Sequence, residues 1–351
     1  TLALPIAAIA LVGVAFLRAP GTAMSVVCAV ALIGAVLASV HHSEVVAHRV
    51  GEPFGTLVLA VAVTVIEAAL IVSMMLAGGA DKAALPRDTI FSAIMIICNG
   101  AVGLCLLAGG LKHHEQSFRL DGAASALATL IAMATLTLVL PAFTTTVPGP
   151  RYSTAQLGFA AIASLVLWSV FVFVQTVRHR DYFLPPHNPA DESAHAPPPS
   201  VGQAWSSFAL LVVSLVAVIG LAKVLSPTIE HAVAAAGLPA AVIGIVIALL
   251  VLLPETWAAF RAARADRLQT SLNLALGSAL ASIGLTIPVV ALLSVVLGLP
   301  LVLGLSPKDM VLLALTFVVS GITLGTGRTN VLQGAVHLVI FGVFLLLAIV
   351  P

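Results

Sequence analysis

The chain is a succession of eleven long apolar runs. They lie at residues 2–17, 22–40, 54–78, 89–111, 122–143, 154–177, 204–226, 238–260, 270–300, 310–327 and 329–350. A helix needs about 20 apolar residues to cross a membrane. It satisfies its own backbone inside lipid, where an open strand cannot. Of the 351 residues 60% are hydrophobic and only 8% charged, against about 25% charged in a soluble domain. This excludes a soluble globular protein, a disordered chain and a nucleic-acid binder. The fold class that follows is an all-α polytopic membrane protein of about eleven transmembrane helices embedded in lipid.

One segment interrupts the series. Residues 181–203 hold Pro185, Pro186, Pro189, Pro197, Pro198 and Pro199, a composition that favours extended chain over a core. The expected organisation is an N-terminal extra helix (1–21), a first five-helix unit (22–180), this linker (181–203) and a second five-helix unit (204–351). Lys and Arg counting sets the orientation. Arg49, Lys112, Arg119, Arg178, Arg180, Arg261, Arg264, Arg267 and Arg328 share one face, nine in all; Arg18, Lys82, Arg87, Arg151, Lys223 and Lys308 share the other, six. The richer face is expected to be cytoplasmic, with the N-terminus and linker inside and the C-terminus outside. The run 270–300 is overlong and carries Gly277, Gly284 and Pro288, so one kinked or tilted helix is expected there. The start at Thr1 has neither a basic segment nor an A-x-A site, so no signal peptide is expected. Cys28, Cys98 and Cys105 all lie in apolar runs and read as buried thiols.

Against this background two side chains stand out. Glu67 sits at the centre of the third run and Glu255 in the eighth. An ionised carboxylate at bilayer depth costs at least about 2.5 kcal/mol. With the first helix set aside, each Glu falls on the second helix of its five. Because five is odd, the second set enters from the opposite side, which gives two inverted five-helix repeats with a site between them at the midplane. The following run of each unit adds small and polar groups: Asn99-Gly100 in one, Asn273 and Gly277-Ser278 to Ser282 in the other. Their oxygens suit a hard cation, but Asn99, Ser278 and Ser282 fit interhelical hydrogen bonding equally well. Two facing carboxylates are neutralised by one Ca2+ or by two protons, and an empty ionised pair is expensive in a low dielectric. Mutual exclusion of cation and proton is the coupling rule of an antiporter. Neither acid has Cys or His beside it, which speaks against a soft metal. No resident cofactor is expected: Ca2+, Na+ or K+ and H+ would be cargo.

Three longer stretches carry a resemblance. His41 to Thr56 leads into the Glu67 helix, Val177 to Pro185 closes the first half, and Leu268 to Ser278 opens the ninth run. Together they resemble the bacterial ChaA-type calcium/proton antiporters, in the cation/proton exchanger branch of the calcium:cation antiporter superfamily. The resemblance implies an eleven-span exchanger of the bacterial inner membrane, with Glu67 and Glu255 as the repeat glutamates that hold the cation and Gly277-Ser278 as the Gly-Ser of the second repeat. The branch carries a Gly-Asn-Ala-x-Glu type motif at each acid; here Val63-Thr64-Val65-Ile66 and Val251-Leu252-Leu253-Pro254 precede them. Thr64 offers the oxygen that the Asn would; Leu252 does not. Thr256 stands where a His often follows the second acid, and the often acidic linker keeps only Asp191 and Glu192.

Other polar features read more weakly. Glu44 and Glu52 flank a His-rich cytoplasmic stretch and are candidates for cation attraction or proton relay, or for a solvated loop. His41, His42 and His48 lack a full metal-ligand spacing. His337 reads as a buried neutral side chain. Lys112 to Glu115 reads as a polar loop, and Gly78-Gly79 and Gly109-Gly110 as helix ends. The rival readings are a Na+/H+-specific exchanger of the same fold and, disfavoured for want of an H-E-x-x-H motif, an intramembrane metal-dependent enzyme. The sequence allows a homo-oligomer.

Overall fold

The computed structural model describes residues 3–17, 21–50, 54–184 and 199–350. Arg18, Glu52, Asp191, Glu192 and the linker prolines lie outside the described residues. The first unit holds α1 (Ala3–Leu17), α2 (Thr22–Val50), α3 (Phe54–Gly78) and α4 (Leu85–Met95). A π-helical turn, Ile96–Ala101, joins α4 to α5 (Val102–His113). Then come α6 (Leu120–Ala134) and α7 (Thr154–Phe173), each ending in a π-turn, at Thr135–Val139 and Val174–Arg178. The second unit holds α8 (Val201–Ala235), α9 (Ala241–Arg264), α10 (Leu268–Leu297), α11 (Pro307–Leu324) and α12 (Val331–Ile349). Two short strands, β1 (Glu115–Ser117) and β2 (Arg328–Asn330), pair antiparallel.

Local chemistry sets several of these boundaries. Ser153 with Gln156, Ser200 with Gln203 and Asn330 with Gln333 form reciprocal capping boxes that open α7, α8 and α12; each satisfies two backbone donors left over at a helix start. Gly298 ends α10 in the left-handed region at φ +66°, where glycine has no steric penalty.

Among the described residues, eight helical spans are long and apolar enough to cross a membrane, and nine when the two halves of α9 are counted as one. Those halves, Ala241–Leu253 and Glu255–Arg264, meet at 52°. Pro254 lies between them and lacks the N–H that would continue the helical ladder. The overlong run is one helix, α10, with Pro288 inside it.

Three loop expectations are corrected. The His-rich stretch is the end of α2, which runs unbroken to Val50. Lys112 and His113 end α5, and Glu115 begins β1. Gly109 and Gly110 lie inside α5, where they let Gln116 and the Asn330–Val331 backbone approach. Gly78 does end α3, and Gly79 follows at φ +55°.

The apolar interior forms two clusters. One joins α1, α2 and α8 to one side of the acid helices, through Val63, Ile66 and Leu70 of α3 and Ile243, Ile247 and Val251 of α9. The other joins α4–α7 and α10–α12 to their other side, through Ile71 and Met75 of α3 and Ile245, Ala248 and Leu252 of α9. The three cysteines are buried and free. At one end Lys112 Nζ donates to Arg264 O and Arg328 pairs with Glu115. At the other Lys82 pairs with Glu230, Arg87 Nη1 donates to Gly304 O and Gly304 N to Pro150 O. Lys112, Arg264 and Arg328 thus lie at one end, and Lys82 and Arg87 at the other.

The α5–α12 crossing depends on glycine. A Cβ on Gly103 would lie 2.9 Å from His337 Cβ, and one on Gly334 would collide with the Leu107 backbone. Gly334→Val should therefore destabilise the fold by about 1–3 kcal/mol through overpacking. A lowered melting midpoint of the detergent-solubilised protein measures this.

Candidate cation site

The site is built on α10. Ser278 and Ser282 are four residues apart, so they stand one above the other on one helix face. Ser282 Oγ lies 2.7 Å from Oε1 and 2.5 Å from Oε2 of Glu67, donating to the carboxylate. Ser278 Oγ donates to Glu255 Oε2. Glu67 is 2% exposed and Glu255 8%. Two hydroxyls one helical turn apart on one face of α10 thus each bond a carboxylate, and the two carboxylates come from two other helices. Glu255 stands at the first position after the bend of α9.

A carboxylate accepts hydrogen bonds and cannot donate them unless protonated. The serines therefore give each acid one satisfied oxygen contact without supplying countercharge. The ion pairs Lys82–Glu230, Arg87–Asp88 and Arg328–Glu115 all lie off the two acid helices. Among the described residues no three His, Cys, Asp or Glu side chains converge as a metal cage. The arrangement is a pair of buried acids open to neutralisation by a cation or by protons, with hydroxyl oxygens at hand as further hard ligands.

The remaining sequence candidates divide. Thr64 is buried one turn before Glu67 on α3. Asn99 is fully buried in the π-turn, but its bonds run the other way. Its Nδ2 donates to Thr316 Oγ1 at 2.8 Å, and its Oδ1 faces His337 Nδ1 at 3.1 Å. Thr316 Oγ1 in turn donates to Leu312 O, and His337 Nε2 lies 3.1 Å from Thr323 Oγ1. Asn99 therefore ties the π-turn to α11 and α12. Asn273 Nδ2 donates to Phe183 O and its Oδ1 accepts from Gln269 Nε2, fixing α10 to the start of the 181–203 segment. For both asparagines the described bonds lie away from the carboxylates. Glu44 is exposed on α2, and Glu52 lies outside the described residues. Sequence reasoning missed Gln116, whose buried amide ties β1 to the α9–α10 corner.

Comparison with known proteins adds the context of this geometry. Residues 20–177 and 206–350 match the family model described as sodium/calcium exchanger protein. A protein of Sinorhizobium fredii to which ionic transport is ascribed, y4hA, is 54% identical over 91% of this chain and 87% of its own. The sodium-potassium/proton antiporter ChaA of Escherichia coli is 36% identical over 92% of this chain and 88% of its own. Among solved structures, native YfkE shares the fold with a TM-score of 0.76 at 16% identity, over 99% of each chain; a second YfkE structure, described as a Ca2+/H+ antiporter protein, gives 0.73 at 15% identity, over 99% of this chain and 98% of its own.

Ser282→Ala removes the hydroxyl that Glu67 accepts from and leaves a buried carboxylate short of a partner, at a cost of about 1–3 kcal/mol. The half-saturating cation concentration in proteoliposomes should rise about tenfold, and Ser282→Thr, which keeps the hydroxyl, should restore most of it.

Proposed function

The chain belongs to the sodium/calcium exchanger family, and from that membership we propose that it exports Ca2+, and also Na+ or K+, in exchange for protons. It is an integral membrane transporter and not an enzyme, which sets the metal-dependent enzyme reading aside. The observation that carries the proposal is the pair of buried carboxylates, Glu67 and Glu255, each bonded to a hydroxyl on one face of α10. Their joint charge is met by one divalent cation or by two protons. Cation and proton therefore take turns at one pair of acids, and neither leaves unless the other replaces it.

Ser278, Ser282 and Thr64 complete an oxygen shell in this reading. So does the Leu250 carbonyl, which Pro254 leaves without its i+4 donor. Asn99 and Asn273 act as helix ties. Glu44 attracts cations from the end of α2, and Glu52 does so from beyond it. The architecture we propose is eleven spans: an extra helix (1–21), inverted repeats at 22–180 and 204–351, and a cytoplasmic linker at 181–203. The protein sits in the bacterial inner membrane with the N-terminus inside and the C-terminus outside. Alternating access moves one helix group against the other about the acids. That both apolar clusters reach α3 and α9 supports putting the division between those groups at these helices.

A second reading, exchange of monovalent cations alone, draws on ChaA, whose name gives sodium and potassium. The two readings separate in proteoliposomes holding a pH-sensitive dye and challenged in turn with Ca2+, Na+, K+ and Mn2+. Proton flux driven by Ca2+ is the expected outcome; flux with Na+ or K+ only would establish the second reading. Glu67→Gln and Glu255→Gln should each lower exchange at least a hundredfold. Because protons compete for the same oxygens, the half-saturating cation concentration should rise as pH falls, and a concentration independent of pH would refute the shared site.

A further inference from the structure

The acid helix α9 is held at a second place, far from its carboxylate. Its lower half, Glu255–Arg264, begins at the bend, so the direction of this short rod decides where Glu255 meets Ser278. Its far end lies nine residues on, about 13 Å along the axis. There the last carbonyls of α9 are past the regular ladder; Ala263 O already accepts from Asp266 N, and the α5–β1 segment brings further donors to this end. Gln116 Nε2 donates to Ala263 O at 2.9 Å and to Asp266 Oδ1 at 2.8 Å. Lys112 Nζ donates to Arg264 O at 2.9 Å, and His113 Nε2 lies 3.1 Å from the same oxygen. One residue group on, Arg119 N donates to Gln269 Oε1 at 2.7 Å, which holds the first turn of α10.

Gln116 is the buried centre of this clamp, 3% exposed. Both of its Nε2 partners are acceptors, so the orientation of the amide is fixed. Its Oε1 lies over Gly109, where an added Cβ would collide with it. Asp266 takes the left-handed conformation at φ +60°, a strained place for a side chain other than Gly, Asn or Asp; the bond from Gln116 holds it there. The corner joining the two helices that carry Glu255, Ser278 and Ser282 is thus seated on a glutamine from the first unit.

We infer that Gln116 is a positioning residue of the cation site, setting the angle of the lower half of α9 and through it the Glu255–Ser278 contact. The inference rests on Glu255 as a cation ligand. Gly109 belongs to the same device, because it alone leaves room for the amide.

The test uses the full-length protein in proteoliposomes, with Ca2+ and Na+ as probes and both half-saturation and maximal rate measured. Gln116→Met keeps the length and removes the donor; Gly109→Ala leaves Gln116 in place but pushes its amide aside. Both should raise the half-saturating cation concentration at least fivefold, with maximal rate within twofold. In a Ser278→Ala background the added effect of Gln116→Met should shrink below twofold, because the contact it positions is already gone. Independent loosening of the fold would instead multiply the two effects and overturn the inference. So would folded, monodisperse Gln116→Met and Gly109→Ala proteins whose half-saturation stays within twofold of the parent. Glu255→Gln, run alongside, separates the two claims: retained exchange there refutes the acid as ligand and the clamp's purpose with it, whereas lost exchange with unchanged clamp variants refutes the clamp alone.

Discussion

Two carboxylates of the same sign buried side by side form the constraint around which this molecule is arranged. Each comes from its own helix, and both are met by hydroxyls of a third. Without a countercharge such a pair would drive its helices apart or take up protons. The serines of α10 do not cancel the charge. They give each carboxylate a directed bond from one face of one helix.

The apolar packing follows from this. The acid helices are shared between two clusters rather than buried at the centre of one, so a carboxylate can be dry and still lie on a boundary. On one side α1, α2 and α8 pack through aliphatic contact, with Ser25–Thr228 and His42–Ser207 as polar contacts between α2 and α8. On the other, polar bonds join helices at specific points: Asn99 to Thr316 and His337, Asn273 to Phe183, and Gln116 to the α9–α10 corner. Aliphatic contact is nondirectional, whereas each buried polar bond specifies one arrangement.

The acids were legible in the sequence because charge is so rare in the apolar runs that two intruders identify themselves. Ser278 and Ser282 were legible as candidates because they are small polar groups at mid-depth on the run after Glu255. Asn99 was readable as polar at depth but not as a tie, since its partners Thr316 and His337 lie 217 and 238 residues away in the chain. Gln116 gave no signal, because a neutral residue in a polar stretch looks like loop until its acceptors are placed. The end of α2 was hidden for a related reason: its polar face at His41 to Arg49 breaks the hydropathy pattern but contains nothing that breaks a helix.

The bend in α9 also changes the field beside Glu255. Helix α9 runs from Ala241 to Arg264 with Pro254 inside it, and proline brings no N–H to the helical ladder. The Leu250 carbonyl is left without its i+4 donor, so its partial negative charge is not taken up by that bond. One proline thus sets a fixed dipole on the helix that carries the carboxylate, without adding any net charge to the interior.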